Sequence, residues 1–213
     1  MINNIETLIK FLRLNVLLDK NEKEFVKFNK SKWKKILEKE KKNKSIILVD
    51  LFPWYPLIYF WSYIVNILSK EYNSEIKYFF FHLSKTRTSK FSFSITKLVN
   101  IYKSFNVNKG ITDYDFVYSK KEIAQYEKKF HKIKTKNDLI NYKNNKIKIG
   151  DLIYDTYLRT TFNPTLNLND SRLKKIFVRA EKIFNDLIIY FKKNKVKCVI
   201  PSHLCYISYG IIS

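Results

Sequence analysis

The chain of 213 residues is long enough to bury a core, and its 46% hydrophobic content excludes an intrinsically disordered protein. Its 41 Lys and Arg residues against 19 Asp and Glu residues give a formal net charge of +22, which favours polyanionic partners such as nucleic acid, anionic lipid headgroups or diphosphate-linked substrates. Almost all of this excess is lysine spread along the chain, a pattern that compositional drift also produces, so charge alone identifies no partner.

The first 44 residues predict helices ahead of the main domain. Apolar residues recur at helical spacing over 4–18, which indicates an amphipathic helix. Range 20–44 is highly charged and predicts a second exposed helix or a helical hairpin. It would either lie on a membrane surface through its lysines and Trp33 or cover the domain as a solvated helix. We predict an N-terminal helical extension over residues 1–44 and an α/β domain over residues 45–213.

The stretch 46–68 is apolar enough to raise the alternative of a transmembrane helix. Asp50, Pro53 and Pro56 interrupt it, however, and divide it into two shorter runs. We predict a buried strand over Ile46–Val49, a turn at the prolines, and a helix over Leu57–Lys70.

Further elements follow at the spacing of an α/β protein. The middle of the chain predicts a strand over Glu75–Phe81, a helix over Ile95–Phe105, a turn and short extended piece over Gly110–Ser119, a helix over Tyr126–Phe130, and a Lys- and Asn-rich surface excursion over 131–147.

A new ordered unit begins at Gly150–Tyr157, and the clearest helix of the chain follows the cap at Asp170 or Ser171, with one apolar stripe from Leu173 to Phe191. Val196–Ile200 predicts another apolar strand. Because apolar strands alternate with amphipathic helices, the sequence predicts a Rossmann-like parallel sheet flanked by helices. Tyr206–Ser213 begins an apolar helix without a cap, so we expect the chain to be truncated at its C-terminus.

Several familiar functional motifs are absent from the sequence. The chain has three glycines, too few for a dinucleotide fingerprint or a Gly-rich phosphate loop, so we predict no cofactor. Its two cysteines and three scattered histidines predict neither a disulfide framework nor a metal site, and they suit a reducing compartment. Glu6 and Lys10 interrupt the early apolar run, so no signal peptide is predicted and we expect a cytoplasmic protein.

Polar residues follow the predicted strands, where ligands of open parallel sheets bind. Asp50, His82 and His203 would lie along one margin of the sheet, with a carboxylate and two imidazoles able to move a proton. The neighbouring residues Ser202, Lys85 and Arg87 would help to bind substrate. The alternative is that these residues are polar only because each strand end leaves the core.

A second candidate cluster lies in the block from Gly150 to Arg159. If this block is helical, Asp151 and Asp155 share one face near Arg159. Asp155 would serve as a base, Arg159 would bind a phosphate, and Asp151 and Tyr154 would contact substrate. The alternative is a salt-bridged helix start with Tyr154 and Tyr157 packed into the core.

Two segments resemble a known family. The run IGDLIYDTYLRTTFNPTLNL at 149–168 and the run VKCVIPSHLCYISYGIIS at 196–213 look like bacterial glycosyltransferase-like proteins of capsule polysaccharide biosynthesis, which have a two-domain GT-B fold. The resemblance implies that this chain is the N-terminal, acceptor-side half. It also implies a nucleotide-sugar donor bound by a C-terminal Rossmann-like domain and a glycan or lipid-linked acceptor at the inner membrane.

Two classes of function therefore stay open. The first is an enzyme, a glycosyltransferase of capsule or lipopolysaccharide assembly in which His203, Asp50 or Asp155 is the base. The second is a non-catalytic basic α/β module that binds an anionic membrane or nucleic acid. Sequence-specific nucleic-acid recognition is disfavoured, because no helix-turn-helix, RRM or OB pattern is present.

Overall fold

A computed structural model describes residues 6–9, 11–12, 16–37, 45–81, 95–113 and 115–213. Contacts within the chain define two compact units. The first contains the described residues up to Phe79, those of 95–110, and Lys195–Ile200; the second contains residues 80–81, 111–113, 115–194 and 201–213. The predicted boundary between residues 44 and 45 borders a range outside the described residues and stays a prediction.

The first unit is built on a four-stranded parallel sheet, as the sequence predicts. Its strands are β1 (Ser45–Asp50), β2 (Glu75–Phe80), β3 (Val107–Thr112) and β6 (Lys195–Ile200), in the order β3-β2-β1-β6. The central strand β1 is buried along its whole length, which explains its unbroken Ile-Ile-Leu-Val run. β1 pairs in parallel with β2 on one side and with β6 on the other, and Val49 lies opposite Ile200.

Helices flank this sheet. They are α1 (Lys20–Leu37), α2 (Tyr55–Glu71) and α3 (Thr96–Lys103). α2 begins with Pro56 in its first turn, where proline needs no hydrogen-bonding partner, and it buries one face that includes Ile58, Trp61 and Val65. The predicted helices over 57–70 and 95–105 are confirmed. The predicted helix over 4–18 is described only in part, and residues 6–9 and 11–12 of it are helical.

The stretch 46–68 is a strand, a turn and a helix, so the alternative of one continuous transmembrane helix is wrong. Among the residues that the structure describes, no helix is both long enough and apolar enough to cross a membrane.

The predicted turn at Gly110 is also wrong, because Gly110 lies inside β3. A Cβ atom at this position would overlap the carbonyl oxygen of Tyr78 in β2. Glycine therefore allows the two strands to approach closely, and the polar sequence of β3 gave no signal of a strand.

The second unit is mostly helical. Its elements are α4 (Lys120–Phe130), α5 (Lys136–Ile140), a two-stranded hairpin of β4 (Lys143–Asn144) and β5 (Ile147–Lys148), α6 (Gly150–Thr161), α7 (Ser171–Lys193), α8 (Tyr206–Tyr209) and a 3-10 turn over Gly210–Ile212. Capping boxes at Ser119–Glu122 and Thr135–Asp138 start α4 and α5, so the predicted surface excursion over 131–147 contains a helix and a hairpin.

The long helix α7 buries charged residues as well as its predicted apolar stripe. Its start is confirmed, since Asp170 accepts a hydrogen bond from the backbone of Arg172. Arg179, Glu181 and Lys182 are all less than 7% exposed. Arg179 lies 2.7 Å from the carboxylate of Asp113, and both side chains are 5% exposed. Helical periodicity predicts a solvated face at these positions. It could not predict their burial, because the side chains they pair with lie far away in the sequence.

The Arg179–Asp113 pair gives a test of the second unit. Replacing Arg179 with Met would leave a buried carboxylate without its guanidinium partner, which typically costs about 3–5 kcal/mol of unfolding free energy. The control Lys174→Met changes another residue of α7 and removes its half-exposed ion pair with Glu127 of α4, which should change stability by less than about 1 kcal/mol. Urea denaturation measures both, and equal losses would contradict the buried pair.

Candidate functional site

Asp50 ends β1 in a buried position, 1% exposed. Its carbonyl oxygen accepts a hydrogen bond from the hydroxyl of Tyr102 at 3.0 Å, and the same hydroxyl accepts one from the backbone N–H of Phe52 at 3.2 Å. Burial raises the pKa of Tyr102 well above its ordinary value, so this phenol stays protonated. Tyr102 therefore fixes the loop after β1 and holds Asp50 at the carboxyl edge of the sheet.

The other residues of the predicted margin are distributed differently. His82, Lys85 and Arg87 lie outside the described residues. Asp50 belongs to the first unit, whereas Ser202 and His203 belong to the second, so each is described within its own unit. That these residues share one margin stays a prediction.

His203 is exposed and held by near neighbours. Its Nδ1 lies 2.8 Å from the hydroxyl oxygen of Ser202, and its ring packs against Tyr209 with 5.2 Å between the ring centroids. A neighbouring hydroxyl restricts the tautomer and the orientation of an imidazole. An accessible and oriented imidazole is the group that most often serves as a general base.

The loop that carries His203 contains a strained residue. Tyr206 has a φ angle of 62°, in the left-handed region that bulky side chains rarely adopt. Such a conformation costs about 1–3 kcal/mol and persists only where the surroundings determine it. Strain of this kind clusters at functional sites, which makes the 201–213 segment the strongest candidate of the second unit.

Two contacts with α6 hold this segment in place. The backbone N–H of Ile207 donates a buried hydrogen bond to the Thr156 hydroxyl at 2.9 Å. Gly210 packs so closely that a Cβ atom there would overlap the carbonyl oxygen of Leu204 and contact Leu152 of α6. Within the second unit, residues 204–210 therefore pack against α6, and both belong to the segments on which the family resemblance depends.

The start of α6 also requires glycine. A Cβ atom at Gly150 would overlap the carbonyl oxygen of Leu139, and the backbone N–H groups of Ile149 and Gly150 both donate to the carbonyl oxygen of Tyr142 at 3.1 Å. α6 therefore begins directly against the end of α5.

The carboxylates of α6 lie on one face, as predicted. Burial, and then the charge of Asp151, raises the pKa of Asp155, which favours a group that exchanges a proton. Asp151 lies 3.7 Å from Lys148. Asp155 and Arg159 lie about one helical turn apart, but no ion pair joins them within the described part of the chain, and Arg159 is exposed.

The two tyrosines of α6 have different environments. Tyr154 is half-buried, and the Nζ atom of Lys136 lies over its ring, 4.8 Å from the ring centroid. Tyr157 is fully buried and donates a hydrogen bond to Asp170 at 3.0 Å. Packing of Tyr157 fits the structural alternative, whereas Tyr154, Asp151 and Asp155 stay accessible to a ligand.

Sequence reasoning missed Tyr102, Thr156 and Gly210, which hold the site residues in place. Because the chain has only three glycines, the presence of Gly210 was a usable signal of close backbone packing. No local pattern marks Tyr102 or Thr156. No group of three or more His, Cys, Asp or Glu side chains able to hold a metal occurs among the described residues.

Comparison of the chain with models of protein families, with curated proteins and with solved structures finds no match in any of the three.

The bond between Ile207 and Thr156 can be tested directly. Thr156→Val keeps the shape of the side chain but leaves the buried N–H of Ile207 without its acceptor, so we expect a loss of about 1–3 kcal/mol and faster exchange of that amide hydrogen. The control is Thr160→Val, whose hydroxyl bonds only to carbonyl groups of its own helix. Unchanged exchange at Ile207 in Thr156→Val would refute the role of Thr156.

Proposed function

We propose that this chain is the acceptor-side domain of a glycosyltransferase-like protein of bacterial capsule or lipopolysaccharide biosynthesis, the N-terminal half of a GT-B fold. The Rossmann-like sheet supports the proposal, as does the resemblance of segments 149–168 and 196–213. The observation that carries it is the packing of residues 204–210, in the strained, histidine-bearing loop, against α6.

In the proposed reaction His203 acts as the general base. It takes the proton of an acceptor hydroxyl while that oxygen bonds to the anomeric carbon of a nucleotide sugar. The bond from the anomeric carbon to the diphosphate breaks, and the nucleoside diphosphate leaves with the electron pair. The hydroxyl of Ser202 orients the imidazole during the proton transfer.

Other predicted residues have proposed roles in the same reaction. Asp155, with its raised pKa, and Asp50 are the alternative bases. Asp151, Tyr154 and Arg159 would contact the acceptor. His82, Lys85 and Arg87 would bind an anionic group. The resemblance assigns the nucleotide-sugar donor to a C-terminal Rossmann-like domain.

A second candidate function, binding to an anionic membrane, is favoured by one surface of the first unit. α2 presents a row of large apolar side chains to solvent, the most exposed being Trp54 at its start, Phe60 and Ile67, at 55%, 60% and 56%. Such a row is unusual on a water-facing helix, and aromatic residues beside lysines are typical of helices that lie in a membrane interface.

The neighbouring helix α1 supplies the positive charge. Its exposed lysines are Lys20, Lys23, Lys27, Lys30 and Lys32. α1 packs along α2 through ring contacts of Phe25 with Tyr59 and of Trp33 with Tyr63, and Lys32 lies 4.6 Å from the centroid of the Tyr63 ring. Each lysine near an anionic surface contributes about 1 kcal/mol of attraction. This surface would place the proposed enzyme at the cytoplasmic side of the inner membrane, where lipid-linked acceptors occur.

The role of His203 is tested by His203→Ala in the complete protein. Loss of the base should lower the rate of sugar transfer by about 10²–10⁴-fold while the fold survives, because the side chain is exposed. His131→Ala, which removes another exposed imidazole of the second unit, should leave the rate unchanged. Transfer at the normal rate by His203→Ala would exclude this base.

Membrane binding is tested with vesicles of phosphatidylcholine mixed with phosphatidylglycerol. The double variant Phe60→Ser, Ile67→Ser should bind at least about tenfold more weakly, because burial of each apolar side chain contributes about 1.5–3 kcal/mol. The control Ile147→Ser, Ile189→Ser changes two side chains of the second unit that are exposed to a similar degree. Equal losses for the two double variants would contradict a specific membrane face on α2.

A further inference from the structure

A polar pocket of about 700 Å³ lies in the second unit, away from the His203 loop in sequence. The end of α4, the short helix α5 and the β4–β5 hairpin form its walls. Its volume falls within the range of small-molecule sites. The lining is rich in lysine and asparagine and includes Lys132, Lys143, Asn137, Asn141 and Asn145.

A buried carboxylate fixes three of the lining side chains. Glu181 of α7 is fully buried and accepts hydrogen bonds from Lys129 at 2.5 Å, Tyr142 at 2.8 Å and Asn144 at 2.9 Å. Burial, and then the charge of Glu181, raises the pKa of Tyr142, so its hydroxyl stays a donor. Side chains held in this way are preorganised for a ligand.

The charge of the pocket favours an anion. Lys132 and Lys143 have no acidic partner within the described residues, whereas the charge of Lys129 is balanced by Glu181. The acidic residue of the lining, Asp138, is occupied, because its carboxylate accepts the backbone N–H groups of Lys134 and Thr135 at the start of α5. These hydrogen bonds lower the pKa of Asp138, and its negative charge interacts with the N–H groups at the start of α5.

The asparagines add the chemistry that hydroxyl groups need. A side-chain amide donates and accepts hydrogen bonds at once, which suits the neighbouring hydroxyls of a sugar ring. Asn137 lies in the first turn of α5, Asn141 follows its last residue, and Asn145 occupies the hairpin turn with a φ angle of 47°. Lysines for one negative group, together with several amides for hydroxyls, match a sugar better than they match a simple anion.

We propose that this pocket binds a sugar unit that carries a carboxylate or a phosphate group, with Lys132 and Lys143 on the anionic group and the asparagines on the hydroxyls. The proposal names the substrate class of the proposed transferase as an acidic glycan, and in that respect it rests on the proposed function.

Calorimetric titration at low salt tests the pocket without a donor sugar and without any transfer reaction. The probes are glucuronate and glucose 1-phosphate, with glucose and inorganic phosphate as references. We expect at least one sugar anion to bind with a dissociation constant in the millimolar range or below. Both references should bind at least about tenfold more weakly, and the sugar anion that binds identifies the negative group.

Variants localise the binding. Lys132→Ala and Asn141→Ala should each weaken it about tenfold, since each removes hydrogen bonds of about 1.5 kcal/mol or more. Lys128→Ala removes an exposed lysine of α4 outside the pocket and should have no effect. All of these side chains are exposed, so the fold should tolerate their removal.

Three outcomes would overturn the proposal: no binding of either sugar anion, glucose or inorganic phosphate binding as tightly as the sugar anion that binds, or an equal loss in Lys128→Ala. None of them bears on His203, which the transfer assay tests by itself. Failure of the pocket and failure of the proposed reaction are therefore distinguishable.

Discussion

The parallel pairing of β1 with β6 is the contact on which the rest of the structure depends. These strands are far apart in the sequence, because the helices α4 to α7 of the second unit lie between them along the chain. Because parallel neighbours end at the same edge, Asp50 and the point at which the chain leaves β6 are neighbours at that edge. The pairing therefore defines the carboxyl edge of the sheet in the first unit.

Asparagine holds three of the six left-handed backbone positions of the described structure. None of the three glycines has a positive φ angle; they allow backbones or helices to approach closely. The left-handed asparagines are Asn73, Asn106 and Asn145, and asparagine tolerates this conformation better than most residues with a side chain. The remaining positive-φ residues, Lys146, Phe162 and Tyr206, carry real strain, and Tyr206 lies in the candidate site. These three strained residues therefore indicate candidate functional positions more strongly than the left-handed asparagines do.

The α/β class could be predicted because its signals are local. The apolar run of β1, the prolines before α2 and the stripe of α7 each determine an element from neighbouring residues. β3 could not be predicted, since its sequence VNKGIT has neither alternation nor an apolar run, and its place depends on the contact of Gly110 with β2.

The supports of the candidate site were missed for a similar reason. The bonds of Tyr102 to the loop after β1 and of Thr156 to Ile207 join residues about 50 positions apart, and no local pattern encodes such pairs. His203, Asp155 and Tyr154 could be named as candidates because their residue types alone indicate chemistry. The burial and hydrogen-bond partners of these residues determine whether that chemistry takes place, and they could be described only from the folded structure.

The most direct test of this account is the register of β1 against β6, read from nuclear Overhauser contacts in an isotope-labelled chain. We expect contacts between the backbone protons of Ile47 and Cys198, Leu48 and Val199, and Val49 and Ile200, in the pattern of parallel strands. Absence of these contacts, or an antiparallel pattern, would contradict the parallel pairing that defines the carboxyl edge at Asp50.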